Sequence, residues 1–220
     1  MQEIIEILNK KLPMCPNVQG REKYINTSVL VPLLNLKKEI HFLFQIRSST
    51  INQGGEICFL GGKFDIKKDK TLKDTAIREC EEEIGLKKET LNILGQIDTI
   101  VAPMGVTVDS FIAIANIKNL NKLNINKNEV EKVFTLPLNF FKKNRPEKYY
   151  VKLEIQPFEL DKNGEKRILF PAEKLGLPKK YTKPWGGRKY RVLVYKTPKG
   201  IIWGITAEII YELIKILDNK

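Results

Sequence analysis

Glu79, Glu82 and Glu83, with Arg78 directly before them, are the residues of this 220-residue chain best suited to do chemistry. At about 100° per residue along a helix, Leu72, Ala76, Ile77, Cys80 and Ile84 form an apolar arc. Glu81 and Asp74 fall opposite it, as solvated charges should. Glu79 and Glu83 fall instead at the edge of the arc, with Glu82 just outside them and Arg78 beyond. A bare helix disfavours this. Glu79 and Glu83 are a like-charge i,i+4 pair costing a few tenths of a kcal/mol, and Glu79 with Glu82 adds an i,i+3 repulsion. The helix dipole favours cations at that end. In a chain of formal net charge +12, lysines were available for these positions. Arg78 neutralises part of the clash, and a hard divalent cation such as Mg²⁺, which takes carboxylate oxygens, is expected to resolve the rest, the plainer reading being a solvated glutamate-rich face.

Other chemistries find less support. One histidine, His41, removes mechanisms that need two imidazoles. Three cysteines, Cys15, Cys58 and Cys80, cannot all pair and show no C-x-x-C spacing, against a disulfide scaffold or a structural zinc site. A hydrophobic fraction of 42% with 29% charged residues is that of a globular domain. No stretch reaches the roughly 18 apolar residues of a membrane span. Met1 to Leu12, broken by Glu3 and Glu6, reads as an amphipathic helix rather than a signal peptide, so a cytoplasmic protein without a membrane partner is expected. The positive charge suits nucleotides, nucleic acid or anionic lipid; heavy use of lysine, asparagine and isoleucine throughout is the simpler explanation.

The elements that must hold the glutamates follow from pattern. Strands are expected at Ser28 to Leu34, closed by Pro32, and at Glu39 to Ile46, with a short one, Glu56 to Leu60, bracketed by Gly54, Gly55, Gly61 and Gly62. A charged loop, Lys63 to Lys70, leads to a helix over 72–84, with Thr71 as N-cap, Asp74 in the first turn and Gly85 as C-cap. Strands follow at 92–101, 107–115, 129–134, 149–155 and 190–195, then a helix over 207–217 capped by Thr206. Strand dominance with flanking helices predicts an α/β (α+β) sandwich in one domain, 1–220. It comprises a lead-in with a helix at 1–27, a basic, proline-containing insert of strands at 140–199 and a C-terminal helix at 200–220.

Arg78-Glu79-Cys80-Glu81-Glu82-Glu83-Ile84-Gly85-Leu86 is similar, at every defined position, to the end of the Nudix box, R-E-U-x-E-E-x-G-U with U apolar. The upstream half departs from the box. Phe64 and Lys70 stand where it has glycine and glutamate, Gly62 comes two residues early, and the fourth carboxylate is left unidentified. The resemblance implies an α/β/α sandwich with a mixed sheet and a central catalytic strand-loop-helix. It also implies hydrolysis of a nucleoside diphosphate linked to another moiety, using Mg²⁺ or Mn²⁺. Glu79, Glu82 and Glu83 would be the metal ligands, with Arg78 orienting a glutamate. The general base would be Glu79 or, from a later loop, Glu129.

Leu43-Phe44-Gln45-Ile46-Arg47-Ser48 and Gly55 to Lys63 resemble the signature of coenzyme A diphosphatases, as do Glu129 to Leu138 and Ile202-Trp203-Gly204-Ile205-Thr206-Ala207. Gln45 stands in place of threonine and Leu60 in place of proline. A second arginine is absent near Ile51 and Asn52, and the spacing is one residue short. The resemblance implies cleavage of coenzyme A or acyl-CoA to 3′,5′-ADP and (acyl-)4′-phosphopantetheine. Arg47, Gly61, Gly62 and Lys63 would meet the substrate, the two cations suiting its phosphates. Three alternatives stay open: another nucleoside diphosphate derivative such as ADP-ribose or a dinucleoside polyphosphate, an RNA 5′ cap, and a Nudix-fold ligand sensor without catalysis. Aromatic and basic residues interleave from Lys179 to Tyr190, and Trp185 there either stacks a base or plugs the core. A homodimer is also left open.

Overall fold

A computed structural model describes residues 4, 17–117 and 119–218. The expected N-terminal helix and Cys15 therefore lie outside the described residues, apart from Ile4, which is helical. Strands β1 (Ile25–Leu36), β2 (Glu39–Arg47), β3 (Ile57–Cys58), β4 (Leu60–Lys63), β5 (Leu91–Ala102), β6 (Val106–Ala115) and β7 (Val130–Pro137) form one mixed sheet. Its central path runs β3-β2-β1-β6-β5, with β4 on β1 and β7 on β2. The β1–β6 pairing is parallel and the other pairings of this sheet are antiparallel.

Pro32 does not close β1, contrary to the sequence expectation. The strand pairs with β4 through Leu30 and with β2 from Leu33, so Pro32 falls in the gap between two ladders, where a missing N–H is tolerated. The glycine pair does not bound a strand either. Gly61 and Gly62 lie inside β4, opposite Val29 and Ser28. A Cβ on Gly61 would come within 2.2 Å of the Ser28 carbonyl oxygen, so the close strand approach requires glycine there.

Side chains alternate across the sheet and fill two cores. On one face Leu30, Leu34, Leu43, Phe111 and Ala113 meet Ala76, Cys80 and Ile84 of helix α1 (Leu72–Ile84). On the other, Val31, Leu33, Phe42, Phe44 and Ile112 meet Ile209, Ile210 and Leu213 of a C-terminal helix. Each fully buried Leu, Ile or Phe contributes about 1.5–3 kcal/mol, so both helices are held mainly by their apolar faces. This is the expected α/β/α arrangement.

A short helix α2 (Leu138–Lys143) follows β7. Strands β8 (Glu147–Ile155), β11 (Trp185–Thr197) and β12 (Gly200–Trp203) make a second sheet in the order β12-β11-β8, and β9 (Phe158–Leu160) pairs with β10 (Lys166–Ile168). The segment expected as helix from residue 200 thus begins as a strand. Helix α3 (Gly204–Asp218) starts directly from it, with Gly204 at φ 61° making the turn. Thr206 is inside the first turn and is not its cap. Among the described residues, no helix is long and apolar enough to cross a membrane.

Candidate active site

Local sequence builds α1 as expected. The Thr71 hydroxyl accepts from the Asp74 N–H, and the Asp74 carboxylate accepts from the Thr71 N–H, closing a capping box. Gly85 caps the other end in the left-handed conformation. The apolar seam then fixes where each acidic side chain goes.

Glu83 turns into the protein, 3% exposed, beneath the sheet. Its Oε1 accepts from Gln45 Nε2 at 2.8 Å and its Oε2 from the Gly61 N–H at 3.0 Å. Burial outweighs these two donors and pushes its carboxyl up to about 8. Glu79 is half-buried against Gly62. A Cβ there would lie 2.4 Å from the Glu79 carboxyl carbon, so that glycine makes room for the acid. Burial raises the Glu79 pKa and Arg78 opposes the rise, while the charges of Glu82 and Glu129 add to it. Glu82 stands in solvent at the rim, within 3.5 Å of Lys68 Nζ.

Arg78 ties this group together. Its Nη1 donates to Glu79 at 2.7 Å and to Glu82 at 3.0 Å. The rest of the guanidinium grips Asp69, a residue that the sequence pattern did not single out. Nε meets Asp69 Oδ1 at 2.8 Å and Nη2 meets Oδ2 at 2.9 Å. Thr75 Oγ1 and the Asp65 N–H also donate to Oδ2, at 2.9 and 3.0 Å. Arg78 beside it holds the Asp69 carboxyl well below the ordinary range, and Asp69 raises Arg78 in turn. A carboxylate one residue before the pattern's position 70 thus meets Arg78, while Lys70 is exposed. Asp65, four residues before Asp69, is the local signal that could have marked this turn.

The three glutamates do not converge as a closed cage. Among the described residues no three His, Cys, Asp or Glu side chains are close enough to enclose a metal. Glu79 and Glu82 meet at Arg78, whereas the sheet donors draw Glu83 inward. The donor set nevertheless fits a hard divalent cation. It is all oxygen, and Glu79 and Glu83 are desolvated carboxylates that a cation would hold ionised.

Arg47 ends β2 beside this group, with Nε donating to the Asn52 carbonyl at 3.2 Å, and its charge acts on Glu83. Lys63 is exposed, and its carbonyl accepts from Arg78 Nη2 at 3.3 Å. Glu129 comes close through the backbone: its carbonyl accepts from the Ser48 N–H at 2.8 Å, next to Arg47. Gly61 and Gly62 meet the carboxylates of Glu83 and Glu79. Trp185 is partly buried, packing edge-on to Tyr181 at 5.5 Å and against Phe170 at 6.1 Å.

Comparison with known proteins places the chain in a family. The NUDIX domain model matches residues 25–154. The chain is 34% identical over 135 residues to the mouse peroxisomal coenzyme A diphosphatase NUDT7, covering 57% of this chain and 51% of that protein. It is 32% identical over 120 residues to the human mitochondrial coenzyme A diphosphatase NUDT8, covering 54% of this chain and 50% of that one. The match thus spans about half the length of these relatives. An uncharacterized Nudix hydrolase, NudL, from Photorhabdus laumondii is 27% identical over 189 residues, covering 86% of this chain and 82% of its own. A solved Caenorhabditis elegans Ap4A hydrolase has a TM-score of 0.44 at 23% identity, over 51% of this chain and 80% of that one. The family model takes in the sheet that carries Gly61, the whole of α1 with its arginine and glutamates, and the Glu129 loop, and this chain belongs to the Nudix family.

Proposed function

We propose that this chain is a divalent-metal-dependent pyrophosphatase that cleaves the diphosphate of coenzyme A or acyl-CoA, releasing 3′,5′-ADP and 4′-phosphopantetheine or its acyl form. The observation that carries the reading is the gathering of Glu79 and Glu82 on Arg78, with Glu83 fixed next to them by Gly61 and Gln45. Glu79, Glu82 and Glu83 would hold Mg²⁺ or Mn²⁺. A bound divalent cation supplies charge neutralisation at the phosphoryl oxygens and a more acidic water.

The chain's own residues do the rest. Asp69 fixes the Arg78 plane, and Arg78 sets the direction of Glu79 and Glu82. Glu79 or Glu129 takes the proton from the attacking water; for Glu79, burial beside another negative charge makes the carboxylate a stronger base than a solvated one. Arg47 and Lys63 stand on strands flanking the carboxylates and suit the substrate phosphates. The two diphosphatase relatives support this substrate class above other nucleoside diphosphate derivatives. A cytoplasmic location is part of the same proposal.

A substrate panel with Mg²⁺ or Mn²⁺ tests it. Coenzyme A should be turned over faster than ADP-ribose or a dinucleoside tetraphosphate. Brisk ADP-ribose hydrolysis with none of coenzyme A would overturn the substrate assignment.

A second reading, the same hydrolysis at an RNA 5′ end, is favoured by the exposed Tyr150, which shares a sheet face with Lys148, Lys152 and Lys189 of β8 and β11. It requires single-stranded RNA binding that weakens steeply as salt rises.

A further inference from the structure

We infer that Gln45 is a positioning residue for Glu83, an amide that fixes the carboxylate for a cation without cancelling its charge. The inference rests on the proposed role of Glu83 as a cation ligand.

Gln45 lies in β2 with neighbours on both sides, opposite Cys58 of β3 and Val133 of β7, so its backbone is held in place. Its side chain is fully buried on the face that receives α1. The orientation of the amide is dictated by its surroundings. Nε2 donates to the Phe59 carbonyl at 3.3 Å and to Glu83 Oε1 at 2.8 Å. The Phe59 carbonyl only accepts, so a flipped amide would set oxygen against oxygen there. Phe59 thereby fixes which atom of Gln45 faces Glu83.

The other end of the amide shows that packing is not the reason for this residue. Gln45 Oε1 is buried and makes no hydrogen bond of ordinary geometry among the described residues, the side chain of Cys58 across the ladder interacting with the amide only weakly. A buried carbonyl oxygen without a donor costs folding free energy, which offsets part of what Nε2 gains by satisfying the Phe59 carbonyl and Glu83 Oε1. What Gln45 provides is the donor to Glu83. A lysine or arginine would provide one too, but would neutralise the carboxylate and compete with a cation. With one donor from Gln45 and one from Gly61, about two of the four lone-pair positions of Glu83 stay open.

The test is Mn²⁺ binding, read from the electron paramagnetic resonance signal of free Mn²⁺ for the wild type, Gln45→Met, Gln45→Asn and Glu83→Gln. Methionine keeps the volume and removes the donor; asparagine keeps an amide that is one methylene too short. Both Gln45 variants should bind Mn²⁺ about 10–100-fold more weakly, as loss of a partner behind a metal ligand does. The metal-free melting temperature of Gln45→Met should stay within a few degrees of the wild type, because removal of the orphaned Oε1 offsets part of the loss of the Nε2 donor. If Gln45→Met does not fold, Gln45→Asn decides alone. Wild-type Mn²⁺ affinity in the folded Gln45 variants, with loss of binding in Glu83→Gln, overturns the role of Gln45 alone. Wild-type affinity in Glu83→Gln overturns the ligand reading beneath it.

Discussion

Asp69→Asn isolates the ionic clamp on Arg78. The Asp69 side chain is 1% exposed and that of Arg78 18%, so their paired bonds of 2.8 and 2.9 Å are made largely out of water. Breaking a buried pair by removing one partner costs about 3–5 kcal/mol. Asparagine keeps one oxygen for the guanidinium, and Arg78 keeps Glu79 and Glu82, so about 2 kcal/mol is expected here. For a domain of this size that lowers the melting temperature by roughly 4–8 °C. Freed from Asp69, the guanidinium moves toward Glu79 and Glu82 and competes with the cation, so Mn²⁺ affinity should fall about tenfold or more. The depressed Asp69 carboxyl contributes stability above about pH 4 and loses it as pH falls further. The gap between wild type and variant should therefore close in acid. Lys70→Glu, which puts an acid where the family pattern has one, should not rescue Asp69→Asn, because position 70 is exposed. Thermal melting across pH and Mn²⁺ titration read all of this. A melting temperature within a degree of wild type, or rescue by Lys70→Glu, would refute the clamp.

The two neighbouring glycines should fail in different ways. Gly61→Ala drives a Cβ into the Ser28 backbone and should destabilise the fold by several kcal/mol, measured by urea unfolding. Gly62→Ala meets the movable end of Glu79 instead, so it should fold well yet lose about 100-fold or more in turnover. In the metal-free protein, the raised Glu83 pKa contributes stability below the ordinary glutamate range that is lost as pH rises through about 8. A cation must displace that proton, so calorimetry should find Mn²⁺ affinity climbing with pH and levelling off above about 8. Glu129→Gln should lower kcat with little change in Mn²⁺ affinity if it is the base; unchanged kcat assigns that role to Glu79.

Helix α1 was legible because its signals are local. A cap, a terminal glycine and a 3.6-residue apolar repeat all lie within the Thr71–Gly85 stretch, and the structure reproduces them. The edge placement of Glu79 and Glu83 also followed from the wheel, although Glu83 is buried more deeply than that implied. Asp69 was missed because a fixed spacing pointed to position 70, and the loop between β4 and α1 turns one residue sooner. Gln45 was missed as a partner of Glu83 because 38 residues of chain separate them and only the sheet brings them together. Pro32 misled for a similar reason, since local pattern does not tell a strand end from a gap between two partner strands. Helix α2 and strand β12 are too short to carry a periodic signal.

The most direct check is Mn²⁺ titration of the wild-type protein, Glu79→Gln, Glu82→Gln and Glu83→Gln at neutral pH, with coenzyme A hydrolysis measured on the same samples. The wild type should take up the ion at millimolar levels or below and cleave coenzyme A. Each substitution should weaken both while leaving the fold intact. No uptake by the wild type, or undiminished binding and turnover in all three variants, would contradict a metal site built on this helix.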